Sequence, residues 1–256
     1  MRDLKGKVAW ITGAGSGMGR AAAVSLAAAG MQIVLSGRRA DRLSEVASEV
    51  SAAGHEAMIA PLDVTDADAV KSVVSDIESR FNQVDVLINS AGINVKKRFW
   101  SDEGTQNFDN IMAVNVNGSF YCAKAVLPKM RAQKEGLIIN VASWAGRYHS
   151  RVSGPAYNAS KAALVWLNEN LNLEECENGI RACALNPGEV ATEILDNRAV
   201  PVPQSERDKM LQPADIGEIV LFLASLPAHV CVNELTVSPV WNNAYIGAFD
   251  PANSRP

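Results

Sequence analysis

Val8-Ala9-Trp10-Ile11-Thr12-Gly13-Ala14-Gly15-Ser16-Gly17-Met18-Gly19 decides the architecture of this 256-residue chain. The first five residues form a short apolar run, the glycines that follow make a loop, and a small-residue helix runs from Arg20 to Ala29 with Gly30 as its stop. Strand, glycine loop and helix in that order open a βαβ nucleotide site. Gly13 and Gly17 allow a tight turn and let a pyrophosphate approach the main chain, and Gly19 lets the alanine-rich helix lie close on the sheet. The helix N-terminus offers unpaired N–H groups and a positive dipole end to phosphates.

Outward from this stretch, Gln32 to Ser36 reads as the second strand. A dinucleotide site often carries an acidic residue just after it, to bond the adenosine ribose hydroxyls. Here Ser36-Gly37-Arg38-Arg39 supplies two arginines, with no carboxylate before Asp41. Guanidinium pairs with phosphate through charge-assisted hydrogen bonds, so the pattern favours a 2′-phosphate, with Arg38 ahead of Arg39. The alternative is a solvated turn that starts the helix 41–53. Ala57 to Ala60 is a third strand. After it Asp63 is placed to accept from an adenine amino group, and Thr65 or Asp66 to cap the helix 67–81.

Val84 to Asn89 is a buried-looking fourth strand ending in Asn89-Ser90-Ala91-Gly92, a second small-residue turn that faces the same crevice as the first. Lys96-Lys97-Arg98 is expected in a solvated loop, with Phe99 and Trp100 covering part of the site. A long helix is expected over 106–130. Asn115 inside it is unfavourable without a partner. It either serves the structure or holds a water near Lys161, and Gly118 suggests a local distortion.

Leu137 to Val141 is a fifth strand with Ser143 just beyond its end. Tyr157 and Lys161 follow on the next helix at i and i+4, one turn apart on one face. A phenol ordinarily titrates near pH ~10, and an ammonium beside it favours the phenolate. With a serine hydroxyl to bond a substrate oxygen, such a tyrosine is equipped to interconvert a carbonyl and an alcohol. His149, in the intervening turn, is expected to be a loop residue. Ile180 to Leu185 is a sixth strand, stopped by Pro187 and Gly188, and Thr192 is placed to bond a carboxamide. Residues 193–212 lack periodicity and contain Pro201 and Pro203, which suits a mobile cover over a pocket. A helix over 213–224 and a strand over 234–238 complete the alternation. The pattern is that of one α/β domain over 1–256, a doubly wound parallel sheet.

The bulk properties agree. An apolar fraction of 48% supports a large core, and a formal charge of −4 gives no electrostatic reason to expect nucleic acid or an anionic membrane. No apolar run reaches the ~20 residues needed to span a bilayer, and the first residues lead straight into a strand rather than a signal peptide. Cys122, Cys176, Cys183 and Cys231 are scattered, with no histidines at ligand spacing, so reduced thiols in a cytoplasmic protein are expected and a metal is not.

Thr12-Gly13-x-x-x-Gly17-x-Gly19, Asn89-x-Ala91-Gly92, Asn115, Ser143, Tyr157-x-x-x-Lys161 and Pro187-Gly188 occur together and in order. The set resembles the short-chain dehydrogenase/reductase family over roughly residues 5 to 240. That resemblance implies a Rossmann-type fold and hydride transfer between a nicotinamide and a carbonyl/alcohol pair. It makes Tyr157 the general acid/base and Ser143 the group that polarises the substrate oxygen. Lys161 would hold the nicotinamide ribose and lower the tyrosine pKa, and Asn115 would position a relay water. Cofactor contacts are implied for Gly13, Ser16, Gly17, Met18, Gly19, Asp63, Val64, Asn89, Ala91, Gly92, Pro187, Gly188, Val190 and Thr192. Arg38 implies NADP.

Many family members carry Asp-Gly-Gly after the last strand, where this chain has Thr236-Val237-Ser238-Pro239-Val240. The segment from Leu226 to Pro239 is instead similar to bacterial NADP-dependent reductases of 3-hydroxy acids, including serine dehydrogenases. Trp144, Tyr148 and Trp100 suit a moderately apolar ketone, whereas Arg147 would recruit a carboxylate or be solvated. A homotetramer or homodimer is a family implication, with the helices over 106–130 and 157–176 pairing with their equivalents. Val165, Trp166 and Leu171 would alternatively be buried within the monomer. The remaining alternative is a non-catalytic NADP-binding regulator on the same fold.

Overall fold

The computed structural model describes residues 2–148, 150–198 and 201–246. His149 therefore lies outside the described residues. The elements are β1 (Val8–Thr12), α1 (Gly17–Ala28), β2 (Gln32–Gly37), α2 (Ala40–Ala52), β3 (Ala57–Pro61), α3 (Ala67–Phe81), β4 (Val86–Asn89), α4 (Thr105–Met112), α5 (Gly118–Gln133), β5 (Gly136–Val141), α6 (Pro155–Glu175), β6 (Ile180–Pro187), the short α7 (Gln204–Arg207), α8 (Pro213–Ser225), β7 (Glu234–Val237) and the short α9 (Asn243–Ile246). All seven strands are parallel, in the order β3-β2-β1-β4-β5-β6-β7. The order reverses between β1 and β4, and ligands of open parallel sheets bind at that switch point, outside the strands' carboxyl ends.

Strand side chains alternate between two cores, as a period of two requires. Ala9, Ile11, Ile33 and Leu35 face one way, with Leu26 of α1, Val46 of α2 and Val220 of α8. Val8, Trp10 and Val34 face the other, with Val73 of α3 and Val126 and Met130 of α5. Asp66 caps α3 by accepting from the Asp68 and Ala69 amides. The single helix expected over 106–130 is divided: α4 and α5 are joined by a π-helical turn, Ala113–Asn117, with Asn115 at its centre. A π-turn inserts an extra residue into the helical ladder and often marks a functional site.

Candidate active site

Two turns meet at the switch point. Thr12 Oγ1 accepts from the Ser90 and Ala91 amides, both at 3.2 Å, and so ties the end of β1 to the turn after β4. Gly13 sits at φ +64°, and a Cβ there would lie 2.8 Å from the backbone of residues 90 and 91. Only glycine allows both the left-handed conformation and that approach. Gly19 packs under the Gly13 carbonyl. Ser16 is the N-cap of α1 but makes no side-chain cap bond. The first N–H groups of a helix have no intrahelical partners, so this end of α1 turns unpaired donors toward the crevice that Ser16 and Gly17 line.

The crevice holds about 230 Å³ and is walled by Gly13, Ser16, Gly17, Met18, Arg38, Arg39, Asp63, Val64, Ala91, Gly92 and Thr192, among others. Arg39 faces Glu193 across it at 3.6 Å. The Asp63 carboxyl is held below its ordinary range, chiefly by the Thr65 amide it accepts from, and Arg38 adds to the effect. Asn89 is not in the wall. Its side chain is buried and donates to Asn140 Oδ1 and to the Ser119 carbonyl, locking β4 to β5 and α5.

A second cavity of about 400 Å³ adjoins the crevice through the shared wall residues Met18, Thr192 and Ile194. Ser143, Tyr157, Trp144, Pro187, Gly188 and Val190 line it, with Leu195 and Arg198 from the segment after Thr192. Ser143 is placed by the end of β5, and Tyr157 by the first turn of α6.

Lys161 is buried one turn on and donates to the Val141 carbonyl at 2.8 Å. Its Nζ lies 5.6 Å from the centroid of the Tyr157 ring. A Cβ on Gly92 would sit 3.5 Å from both Lys161 Nζ and Asn115 Oδ1, so these two heads form the floor beneath that turn. Asn115 is fully buried: Oδ1 accepts from the Ile93 amide at 2.8 Å, and Nδ2 donates to the Ile93 carbonyl and to Ser160 Oγ. The side chain thus clasps the turn after β4 to α6.

Burial pushes the Lys161 ammonium down to about 8. Burial likewise pushes the Tyr157 phenol above its ordinary range, while a hydrogen bond with Ser143 and the charge of Arg98 pull the other way. The net shift of Tyr157 is upward rather than the lowering expected, because desolvation of the phenolate outweighs the Ser143 hydrogen bond and the charge of Arg98. A phenol so placed is protonated at neutral pH and can serve as a proton donor.

Four expectations about the pocket wall change. Arg147 is engaged by Glu234, to which its Nε donates at 2.7 and 2.8 Å, and it is not in the wall. Tyr148 stacks on Trp144 with ring centroids 4.4 Å apart but is itself outside the wall, and Trp100 is 89% exposed. Arg98, read as part of a solvated basic run, is buried and lines the cavity. Gly154 explains the miss. It stands at φ +79° before α6, and a Cβ there would lie 2.1 Å from the Arg98 carbonyl oxygen. A contact between residues 56 positions apart leaves no local signature in Lys96-Lys97-Arg98.

A doubly wound sheet with a glycine loop at its switch point and a Ser–Tyr–Lys set beside the crevice defines a nucleotide-dependent oxidoreductase. The chain belongs to the short-chain dehydrogenase family, whose model, described as "short chain dehydrogenase", matches residues 7–201. It is 37% identical over 240 residues to an uncharacterized oxidoreductase of Staphylococcus aureus, covering 94% of this chain and all of that one. Among solved structures it is similar to the closed form of a serine dehydrogenase complexed with NADP+, at 27% identity and TM-score 0.83, covering 97% of this chain and 99% of that one. It is also similar to a 3-ketoacyl-(acyl-carrier-protein) reductase of Brucella melitensis complexed with NADH, at 32% identity and TM-score 0.83, covering 92% and 98%. Among the described residues, no helix is long and apolar enough to cross a membrane.

Proposed function

We propose that the chain is an NADP-dependent oxidoreductase that interconverts a ketone or aldehyde with the corresponding alcohol, its substrate a 3-hydroxy acid or a moderately apolar ketone. The observation that carries this is the placement of Ser143 and Tyr157 together in a cavity that opens onto the glycine-walled crevice. The residues present fit the cofactor: at Gly13 neither the left-handed backbone nor the 2.8 Å approach to residues 90 and 91 leaves room for a side chain, and the open end of α1 suits a pyrophosphate. Gly13, Ser16, Gly17 and Met18 would hold that pyrophosphate. Arg38, backed by Arg39, would hold the 2′-phosphate, and Asp63 and Val64 the adenine. Ala91, Gly92 and Lys161 would hold the nicotinamide ribose, and Thr192 with Pro187, Gly188 and Val190 the carboxamide side.

When bound, the reduced nicotinamide supplies a hydride, a proton with two electrons, to the carbonyl carbon. Ser143 donates a hydrogen bond to the carbonyl oxygen, and Tyr157 gives that oxygen its hydroxyl proton. The resulting phenolate recovers a proton from water, so the reaction consumes one proton overall. Lys161 stabilises the phenolate as it forms, and Asn115 fixes the floor on which Lys161 rests. NADPH oxidation against a carbonyl panel, with and without Tyr157, tests the assignment.

The Lys161 pKa gives a pH dependence of definite sign. Below about 8 the ammonium is present, and above it the charge is lost. Since kcat/KM for NADPH reports groups of the free enzyme, it is expected to fall as pH rises through about 8. Lys161→Arg, whose guanidinium keeps its charge, should lack that falling limb even if its rate is low. A pH-independent wild-type profile from 7 to 9.5 would show that Lys161 does not act as a cation toward the nucleotide.

The assembly we propose is a homotetramer or homodimer of a cytoplasmic protein. Val165 is buried in the monomer and Leu171 is partly buried, but Trp166 is 67% and Leu173 77% exposed on α6, and Phe120 is exposed on α5. Trp166 and Leu173, seven residues apart, share one face of α6, and contiguous exposed apolar patches mark interaction surfaces. Sedimentation at micromolar concentration should show a species of two or four chains, and a monomer alone would refute the assembly.

A further inference from the structure

Part of the wall of the cavity around Tyr157 comes from two stretches with no strand or long helix of their own. Ile194, Leu195 and Arg198 belong to the stretch after Thr192, and Asn242, Asn243 and Ala244 to the stretch after β7. Both are tied to one side chain. Glu189, two residues beyond the end of β6, accepts from Arg198 Nη2 on Oε1 and from Asn243 Nδ2 on Oε2, each at 2.6 Å. The two carboxylate oxygens thus hold different stretches. Among the described residues, Glu189 is the only carboxylate in that wall.

The main chain at Glu189 is itself fixed. The Gly188 amide donates to the Val237 carbonyl at 2.7 Å, and the Glu189 carbonyl accepts from the Leu211 amide at 3.1 Å. The stretches it holds have weaker ties to the cavity. The other ion pairs of the first run elsewhere, from Glu193 to Arg39 across the nucleotide crevice and from Asp196 to Arg207 of α7. In the second, Asn242 is 6% exposed, yet its Oδ1 accepts only from the nearby Ala244 amide and its Nδ2 has no partner among the described residues. Tyr245 adds an edge-on contact with the Trp144 ring, centroids 5.3 Å apart. Hydrogen bonds to an ionised group are roughly twice as strong as neutral ones. With side chains 14% and 24% exposed, the Arg198–Glu189 pair is also largely shielded from screening by salt.

We propose that Glu189 is a positioning residue that sets how large a carbonyl substrate the cavity admits, by holding both stretches in its wall. This rests on the carbonyl-reductase reading above and adds to it the residue that fixes the pocket's shape. Glu189 takes no part in the transfer of hydride or proton, and Ser143 and Tyr157 keep their places without it. What changes on its loss is the wall: a substrate that fits loses contacts, and a larger one gains entry.

Hydrogen exchange read by mass spectrometry tests the anchor without any substrate, in the wild type, Glu189→Gln, Arg198→Met and Asn243→Ala. Losing a hydrogen bond to a charged group shifts a local opening equilibrium by about 10–10²-fold. Glu189→Gln should speed exchange on that scale in peptides covering 193–198 and 239–246, with β1 and α1 unchanged. Arg198→Met should loosen the first stretch alone, and Asn243→Ala the second alone. NADPH oxidation by 2-alkanones, alkyl phenyl ketones and 3-oxo acid esters, each series grown one methylene at a time, tests the consequence. In any series turned over, the ratio of kcat/KM for the longest member to that for the shortest should rise about 10-fold in Glu189→Gln, mostly through KM. The kcat for the shortest should stay near the wild-type value. If Glu189→Gln does not fold, the two single-contact variants decide the matter, each loosening its own stretch and raising the ratio in part. Exchange unchanged in every variant would overturn the anchor. Faster exchange with an unchanged size ratio would overturn its part in selection and leave the reductase reading standing. NADPH oxidised by no carbonyl compound would overturn the reductase reading and the size selection with it, while the exchange pattern would still decide whether Glu189 holds the wall.

Discussion

Tyr157→Phe is expected to lower kcat/KM for carbonyl reduction by about 10²–10⁴-fold, the range general acid–base groups contribute. NADPH affinity should stay nearly unchanged, because the lost atom is a hydroxyl in the wall of the second cavity, whereas the glycine loop and the arginines that would hold the nucleotide wall the adjoining crevice. The ring keeps its packing at the start of α6, so the fold should survive. What disappears is the proton given to the developing alkoxide. Burial makes this loss severe: with the phenol held above its ordinary range, Tyr157 is a protonated donor throughout the neutral region, and solvent in a half-closed cavity is a poor replacement. Stopped-flow oxidation of bound NADPH, alongside a fluorescence titration of nucleotide affinity, separates the two effects. A variant that binds and turns over like the wild type would remove Tyr157 from the chemistry.

Arg38→Glu is expected to reverse the nucleotide preference, with a swing of about 10²–10³-fold in the ratio of kcat/KM for NADPH to that for NADH. Two effects add. The guanidinium at the crevice wall is lost, and with it the charge-assisted hydrogen bonds to a 2′-phosphate. The new carboxylate repels that phosphate but can accept hydrogen bonds from the two ribose hydroxyls of NADH. Arg39 limits the swing from one side, although its position opposite Glu193 at 3.6 Å already commits part of its charge. Because family members are found with either nucleotide, this ratio tests Arg38 itself and not membership of the family. A wild type that uses both nucleotides equally, or a variant with an unchanged ratio, would contradict the role given to Arg38.

The sequence carried the fold almost completely because its signals are local. A strand leading into Gly13-x-x-x-Gly17-x-Gly19, repeated strand–helix alternation and small-residue turns at strand ends each act within a few residues of chain. The parallel sheet follows from that alternation. The Ser143, Tyr157 and Lys161 grouping was legible for a similar reason: two of its members share one helix face, and the third ends the preceding strand. Other parts of the site depend on tertiary contacts. The π-turn at Ala113–Asn117 is hidden in a continuous helical pattern, and only Asn115 with Gly118 hinted at a distortion there. Arg98 looks solvated beside two lysines, yet the turn at Gly154 folds over it. Arg147 looked available, yet Glu234, 87 residues on, claims it. Desolvation is equally invisible in sequence, which is why the direction of the Tyr157 shift had to come from its surroundings.

The most direct test of the central claim is transfer of label from nucleotide to substrate. NADPH carrying deuterium at the transferable position of its nicotinamide would be mixed with the enzyme and the best carbonyl substrate, and the product examined by mass spectrometry and NMR. Deuterium on the carbinol carbon, formed by the wild type and not by Tyr157→Phe on the same timescale, is the predicted result. Nucleotide that binds but leaves every carbonyl compound unlabelled would contradict the account.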